Sequence, residues 1–284
     1  MRVQHFPAPG TKVPASEFIV TGGGGAANAA VAVARLGGRA AFAGPLGGSS
    51  DHVSNRILAD LAKDGIDCSG VARKEDGTAS VSLILIDESG EKTIATRRGV
   101  NLGHALPADA NALVADADAV LVDNRLPDFV SAVCRAAQAR RIPIVIDLDQ
   151  ATRPDDSLLK LGSHVVASAE ALRGTTGLSD RGAGLRRLAE HISGFLAVTD
   201  GPAGIYWLER GALRHMPAFK VKAIDSLGAG DAFHGAFALA LAEGRSLPDA
   251  LRFASAVAAL KCTHFGGGSG APTRAEVEEF LRRN

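Results

Sequence analysis

Residues 224–243, IDSLGAGDAFHGAFALALAE, decide how this chain is read. The stretch reads as a Gly-rich turn running directly into a helix of mostly small apolar residues. Gly228 and Gly230 let the backbone lie against a ligand, because glycine has no Cβ to hold one away. The helix that follows presents its first amides without internal partners, at the positive end of its dipole, which makes an anion site. Asp231 falls in that first turn. A carboxylate there can take the proton of an attacking hydroxyl while the amides of Gly228, Ala229 and Gly230 stabilise charge on a transferring phosphoryl group. Ala232, Gly235, Ala236, Ala238 and Ala240 keep the rest of the helix slim enough for close packing on a sheet. An acidic residue in a first turn often does no more than compensate the dipole, so the surrounding chain has to carry the assignment.

Working outward, strand and helix patterns alternate from about residue 105. Apolar runs at 119–122, 142–146, 164–167 and 195–199 read as strands, and 128–140 and 181–191 as helices. Uninterrupted apolar strands alternating with helices predict a parallel sheet covered on both faces. Residues 78–86 and 91–97, joined by Asp87-Glu88-Ser89-Gly90, break the rhythm and predict a hairpin with one exposed face. The C-terminal third predicts helices at 229–243, 247–261 and 273–282. The expected architecture is one α/β domain over 1–284, with a three-layer α-β-α core, a central mostly parallel sheet and a small β-lid from about 1–20 and 78–100.

Composition narrows the class. Hydrophobic residues make up 46% and aromatic residues 5% of 284 residues, which favours helices on a buried sheet. Lys plus Arg and Asp plus Glu are both 31, so no basic surplus argues for nucleic acid or an anionic membrane. Cys68, Cys134 and Cys262 are far apart and odd in number, which predicts no disulfide framework and a reducing, cytoplasmic setting. No stretch approaches the ~20 apolar residues of a membrane span, and MRVQHFPAPG does not read as a signal peptide.

The run DSLGAGDAFHGAF resembles the second motif of the ribokinase-like (PfkB) carbohydrate kinases, with Ser226 where Thr is usual, and residues 22–38, GGGGAANAAVAVARLGG, resemble the first. The resemblance extends from about Pro7 to the end, and it is most like the members acting on 6-deoxy-6-sulfofructose. It implies ATP-dependent transfer of a phosphoryl group to a sugar hydroxyl, with Asp231 as base and residues 228–230 as anion hole. Sugar contacts are implied at Gly23, Gly24 and Asn28, with Lys12 and Arg125 near an anionic end of the substrate. VTDGPAG puts Thr199, Gly201 and Gly204 beside the nucleotide, and Ser255 lines the adenine pocket. Glu170 is implied at the magnesium site, although Ala167 stands where an Asn is usual, and Asp225, which could brace the loop or hold a cation, falls near the family's monovalent-cation (K+) site. A ketohexose or an anionic derivative is the expected substrate, and exposed lid strands imply a homodimer paired through the lids.

The family's opening strand and its sugar-binding Asp are not found in RVQHFPAPGTKV, which leads to the expectation that the natural start lies upstream of Met1. Three other readings compete. A nicotinamide-dependent oxidoreductase would use Gly22–Ala27 as its fingerprint, but the next strand, read at 39–43, ends in Gly44-Pro45 rather than an acid. A P-loop kinase is excluded by the lack of any Gly-Lys-Ser/Thr. A non-catalytic sugar or nucleotide binder on the same fold remains open. His234, one turn beyond Asp231, is read as a packing residue.

Overall fold

The structure is a computed structural model and describes residues 1–284. The chain divides into two compact units: Met1–Ala105 with Val221–Ala232 and Val257–Arg283, and Leu106–Lys220 with Phe233–Ala256. No helix is long and apolar enough to cross a membrane, and the three cysteines are unbridged.

In the first unit the chain forms β1 (Arg2–Val3), β2 (Ala15–Glu17), α1 (Gly25–Arg35), β3 (Gly44–Gly47), α2 (His52–Lys63), β4 (Val71–Lys74), β5 (Val81–Ile86) and β6 (Lys92–Arg97). A four-stranded sheet has the order β2-β1-β5-β6, with β5 and β6 in an antiparallel hairpin that sets Ile84 opposite Ile94. This is the hairpin expected at 78–97, joined by a short strand from each side of the loop that carries Lys12. Its exposure is two-sided, not one-sided as the Ser/Thr alternation predicts. Val81 and Leu83 are exposed on one face and Ile94 on the other, because side chains alternate along each strand.

The strand expected at 39–43 is not there. Ala41 makes only an isolated bridge to Asp67, and the strand is β3, parallel to β4. Pro45, expected to lie just past the strand's end, is tolerated in it because β3 pairs on one side and the missing N–H can face away. Asp51 caps α2 by accepting from the Ser54 amide at 3.2 Å. Ala27, Ala30, Val31, Leu46, Ile57 and Leu61 close the local core between α1, α2 and β3.

The second unit holds α3 (Ala110–Leu113), β7 (Val120–Asp123), α4 (Pro127–Ala139), β8 (Ile144–Leu148), β9 (His164–Ser168), α5 (Ala169–Thr176), α6 (Arg181–Ala189), β10 (Phe195–Thr199), β11 (Ile205–Glu209) and β12 (Ala212–Met216). Its six-stranded sheet runs β12-β11-β10-β9-β8-β7, parallel from β7 to β10 and antiparallel beyond. The predicted strand at 142–146 begins two residues later, since Arg141, at φ 60, turns the chain out of α4. Ile144, Ile146, Val165, Leu196 and Val198 face Cys134 and Ala137 of α4, Leu172 of α5 and Leu185 of α6.

The helices expected in the C-terminal third form as α7 (Ala229–Ala242), α8 (Leu247–Lys261) and α9 (Arg274–Arg283). On the opposite face of the six-stranded sheet, the Phe237 ring of α7 lies 5.7 Å from His164 and 6.1 Å from Phe195. Helices thus cover both faces, giving the α-β-α layering, and the buried strands are apolar throughout because neither face meets water.

Candidate active site

The glycine turn and the first motif meet in the first unit. Gly228, at φ +77, takes a left-handed turn that a Cβ would strain, and the chain enters α7 directly after it. Asp231 sits in the first turn as expected. Its Oδ2 accepts a 2.7 Å hydrogen bond from Asn28 Nδ2 on α1, across 203 residues of sequence. The Asn28 Oδ1 accepts in turn from the Gly268 amide at 3.2 Å. Both ends of the Asn28 amide are therefore fixed, which fixes one carboxylate oxygen of Asp231 and orients the group.

Gly23 and Gly24 are exposed at the start of α1, about one turn before Asn28. The segment before them is held by α2. Asp60 Oδ2 accepts from the Gly22 amide at 2.8 Å, and Arg56 donates to the Val20 carbonyl at 2.6 Å. Burial alone would raise the Asp60 pKa, but hydrogen bonds from Lys63, Arg56 and Gly22 lower it to about 2. A cavity of about 320 Å³ opens beside this segment, lined by Gly22, Gly23, Asn28, Arg56, Asp60 and Gly268 among others. Its size suits a monosaccharide-scale ligand.

Of the three proposed anion-hole residues, Gly230 has open space where a Cβ would stand, as a ligand-facing glycine requires. The Ala229 amide is partly occupied within the turn, donating to the Ser226 carbonyl at 3.3 Å. Lys12 is exposed on the loop between β1 and β2.

Asp225 is not arranged as an ion ligand awaiting an ion. It is fully buried, and Lys261 Nζ lies 3.3 Å from its Oδ2 with neither side chain exposed. The same ammonium donates to the Asp225 carbonyl at 3.0 Å and to the His264 carbonyl at 3.3 Å. Asp225 also accepts from the Leu227 amide (Oδ1, 2.8 Å) and the Gly266 amide (Oδ2, 2.8 Å). Burial pulls the Lys261 pKa below its ordinary value, and the Asp225 carboxylate opposes that. The residues present do not fit an added monovalent cation at Asp225, because a protein ammonium already takes three oxygens there.

The remaining predicted residues lie in the second unit. Thr199 ends β10 beside Ser168 and donates to the Ala167 carbonyl at 3.4 Å. Gly201 is exposed in the turn that follows. Gly204, at φ +92, lies so close to the segment after β12 that a Cβ there would stand 2.2 Å from the Met216 carbonyl oxygen, which by itself requires glycine. Ser255 is half-buried on α8. Glu170 is exposed in the first turn of α5, where Ser168 caps the helix through the Ala171 amide at 3.1 Å. An exposed carboxylate there suits contact with a hydrated magnesium ion. Arg125 is ion-paired with Asp149, so its charge is already balanced. His234 is buried, 3.5 Å from Asp147 Oδ1 and 3.3 Å from the Val166 carbonyl, and packs within the sheet–helix interface.

Sequence reasoning missed Lys261, Gly268 and Asp60. Lys261 had a legible signal: it follows Ala254 and Val257 at helical spacing on a fully buried face of α8, where a cation needs an anion. Gly268 and Asp60 act through long-range contacts that leave no local pattern.

Comparison with known proteins identifies the family. The profile of the pfkB family carbohydrate kinases matches residues 2–274. Ribokinase of Bacillus subtilis (strain 168) is 34% identical over 288 residues, 97% of this chain and 92% of that protein. A crystal structure of a candidate ribokinase from Agrobacterium tumefaciens is 40% identical with a TM-score of 0.93, covering 99% of this chain and 93% of that one. The fold is also that of an Arabidopsis thaliana ribokinase complexed with ribose and ATP, at 23% identity and a TM-score of 0.83, covering 99% and 94%. The chain belongs to the PfkB family of ribokinase-like carbohydrate kinases, and it is a sugar kinase. The nicotinamide reading yields to that assignment.

Proposed function

We propose that this kinase transfers the γ-phosphoryl group of ATP to a hydroxyl of a neutral sugar, a pentose or ketohexose, with Asp231 as general base. The observation that carries the reading is the Asn28–Asp231 hydrogen bond of 2.7 Å, which joins the first motif to the catalytic turn. The sugar binds against Gly23, Gly24 and Asn28, and its hydroxyl gives its proton to the Asp231 carboxylate that Asn28 orients. The freed oxygen forms a bond to the γ-phosphorus while the bond from that phosphorus to the ADP oxygen breaks. The Gly228 and Gly230 amides meet the transferring oxygens at the positive end of α7. Thr199, Gly201 and Ser255 hold the nucleotide. Magnesium, when bound with ATP, supplies charge neutralisation on the phosphates, and Glu170 acts through its water shell.

The sheet β2-β1-β5-β6 acts as the lid, excluding water so that the sugar is phosphorylated in its place. Exposed Val81, Leu83 and Ile94 leave apolar surface for a second copy of the sheet, which supports a homodimer paired through the lids. A neutral sugar is preferred to a sulfosugar because Arg125 is committed to Asp149, although Lys12 remains for an anionic end. The test is ATP consumption with magnesium and a panel of ribose, fructose, 6-deoxy-6-sulfofructose, nucleosides and keto-deoxy sugar acids. Stimulation by ribose or fructose supports the proposal. Stimulation by sulfofructose alone would move the substrate to the anionic class, and none by any sugar would defeat the catalytic reading.

A further inference from the structure

We infer that the Lys261 ammonium is this kinase's built-in monovalent cation, holding the anion loop in shape without any alkali ion. The resemblance to the family implies a potassium site near Asp225, and the structure disagrees with that expectation. A lysine ammonium has three N–H donors and no acceptor. Here they point to three oxygens: the Asp225 carboxylate at 3.3 Å, the Asp225 carbonyl at 3.0 Å and the His264 carbonyl at 3.3 Å. One carboxylate and two carbonyl oxygens form the donor set a hard monovalent cation seeks. Neither side chain of the pair reaches solvent, and a passing ion cannot take the place of the ammonium unless Lys261 withdraws.

The cage is tied to the catalytic turn. Asp225 Oδ1 accepts from the Leu227 amide at 2.8 Å, one residue before the left-handed Gly228 that opens α7. Asp225 Oδ2 accepts from the Gly266 amide at 2.8 Å, two residues before Gly268, which holds Asn28. A cation at this point therefore sets both sides of Asp231, and Lys261 is a positioning residue, touching neither sugar nor phosphate. An alkali ion in its place would leave the site whenever the ionic composition changed, whereas a tethered ammonium stays.

The kinetic arm of the test rests on the proposed kinase reaction, and the thermal arm does not. Wild type, Lys261→Ala and Lys261→Met are compared in buffers whose sole monovalent cation is tetramethylammonium, potassium, ammonium or methylammonium. The wild-type kcat and melting temperature are expected to be unchanged by the cation. Lys261→Ala, which leaves room at the cage, is expected to lose on the order of tenfold or more in kcat in tetramethylammonium. Potassium, ammonium or methylammonium restores both its kcat and its melting temperature, saturably, and tetramethylammonium does not. Lys261→Met, which fills the space without charge, is not rescued. Thermal rescue without sugar-stimulated turnover would uphold the cation role and defeat the kinase reaction instead. Wild type activated or thermally stabilised by potassium over tetramethylammonium overturns the inference, even where both variants are insoluble. So does Lys261→Ala with wild-type kcat in tetramethylammonium, or with no cation-specific rescue of its melting temperature.

Discussion

Replacing Gly268 by Ala puts the least possible new matter at the most connected point of the site. The added Cβ would stand 2.7 Å from Asn28 Oδ1 and 3.1 Å from Asn28 Cα, against 3.4 Å for ordinary contact. The Asn28 side chain must give way by about 0.7 Å at its Oδ1, the difference of those two distances. That displacement breaks the 3.2 Å bond from the Gly268 amide and swings Nδ2 off Asp231. A hydrogen bond to a charged group contributes about 1.5–3 kcal/mol, and each 1.4 kcal/mol is tenfold, so kcat/KM for the sugar falls roughly 10- to 150-fold. The assay is steady-state kinetics of Gly268→Ala, Asn28→Ala and the double variant, with melting temperatures alongside. Because both changes remove the same interaction, the double variant is expected to be little worse than Asn28→Ala, a strongly non-additive cycle. Gly268→Ala kinetics within twofold of wild type, or strictly additive losses, would refute the role given to Asn28.

Three further outcomes follow from the geometry. Lys261→Met leaves the Asp225 carboxylate buried without its cation, a loss of about 3–5 kcal/mol, which at an unfolding entropy of about 0.6 kcal/mol per kelvin for 284 residues lowers Tm by roughly 5–8 °C; calorimetry in tetramethylammonium chloride checks it. Gly204→Ala is expected to lower Tm, since the new Cβ meets the Met216 carbonyl oxygen at 2.2 Å and the φ of +92 strains any side chain; ATP affinity of the folded protein, measured by titration, stays near wild type. Asp60 has a folded-state pKa of about 2, below its ordinary value. Its stabilisation is therefore present above about pH 4 and lost as pH falls toward about 2. Asp60→Asn should flatten that part of the acid melting profile, and parallel profiles would contradict the assignment.

What could be read from the sequence was what depends on neighbours along the chain. The apolar strands 164–167 and 195–199 and the helices from residue 229 onward have periodicities that burial enforces, so their positions were legible to within a few residues. The GAGD turn was legible because a glycine before a helix N-terminus and an acid in its first turn are local features. Pro45 misled because its place on a singly paired strand depends on β4, 26 residues later in the chain at Val71. The two readings open at Asp225, bracing the loop or holding a cation, could not be separated for a similar reason. An acid upstream of the turn looks the same whether its partner is an ion or Lys261, 36 residues away on α8. The Asn28–Asp231 bond, the center of the site, joins two motifs that were each visible while their meeting was not.

The measurement that bears most directly on the account is transfer of label from γ-labelled ATP to sugar by wild type and Asp231→Asn. The Asn keeps the size of the side chain and removes its capacity as a base. The account predicts labelled sugar phosphate from wild type, with sugar and ATP still bound by the variant but label transfer reduced by about 10²–10⁴-fold. Asp231→Asn transferring label at a rate near that of wild type would contradict it.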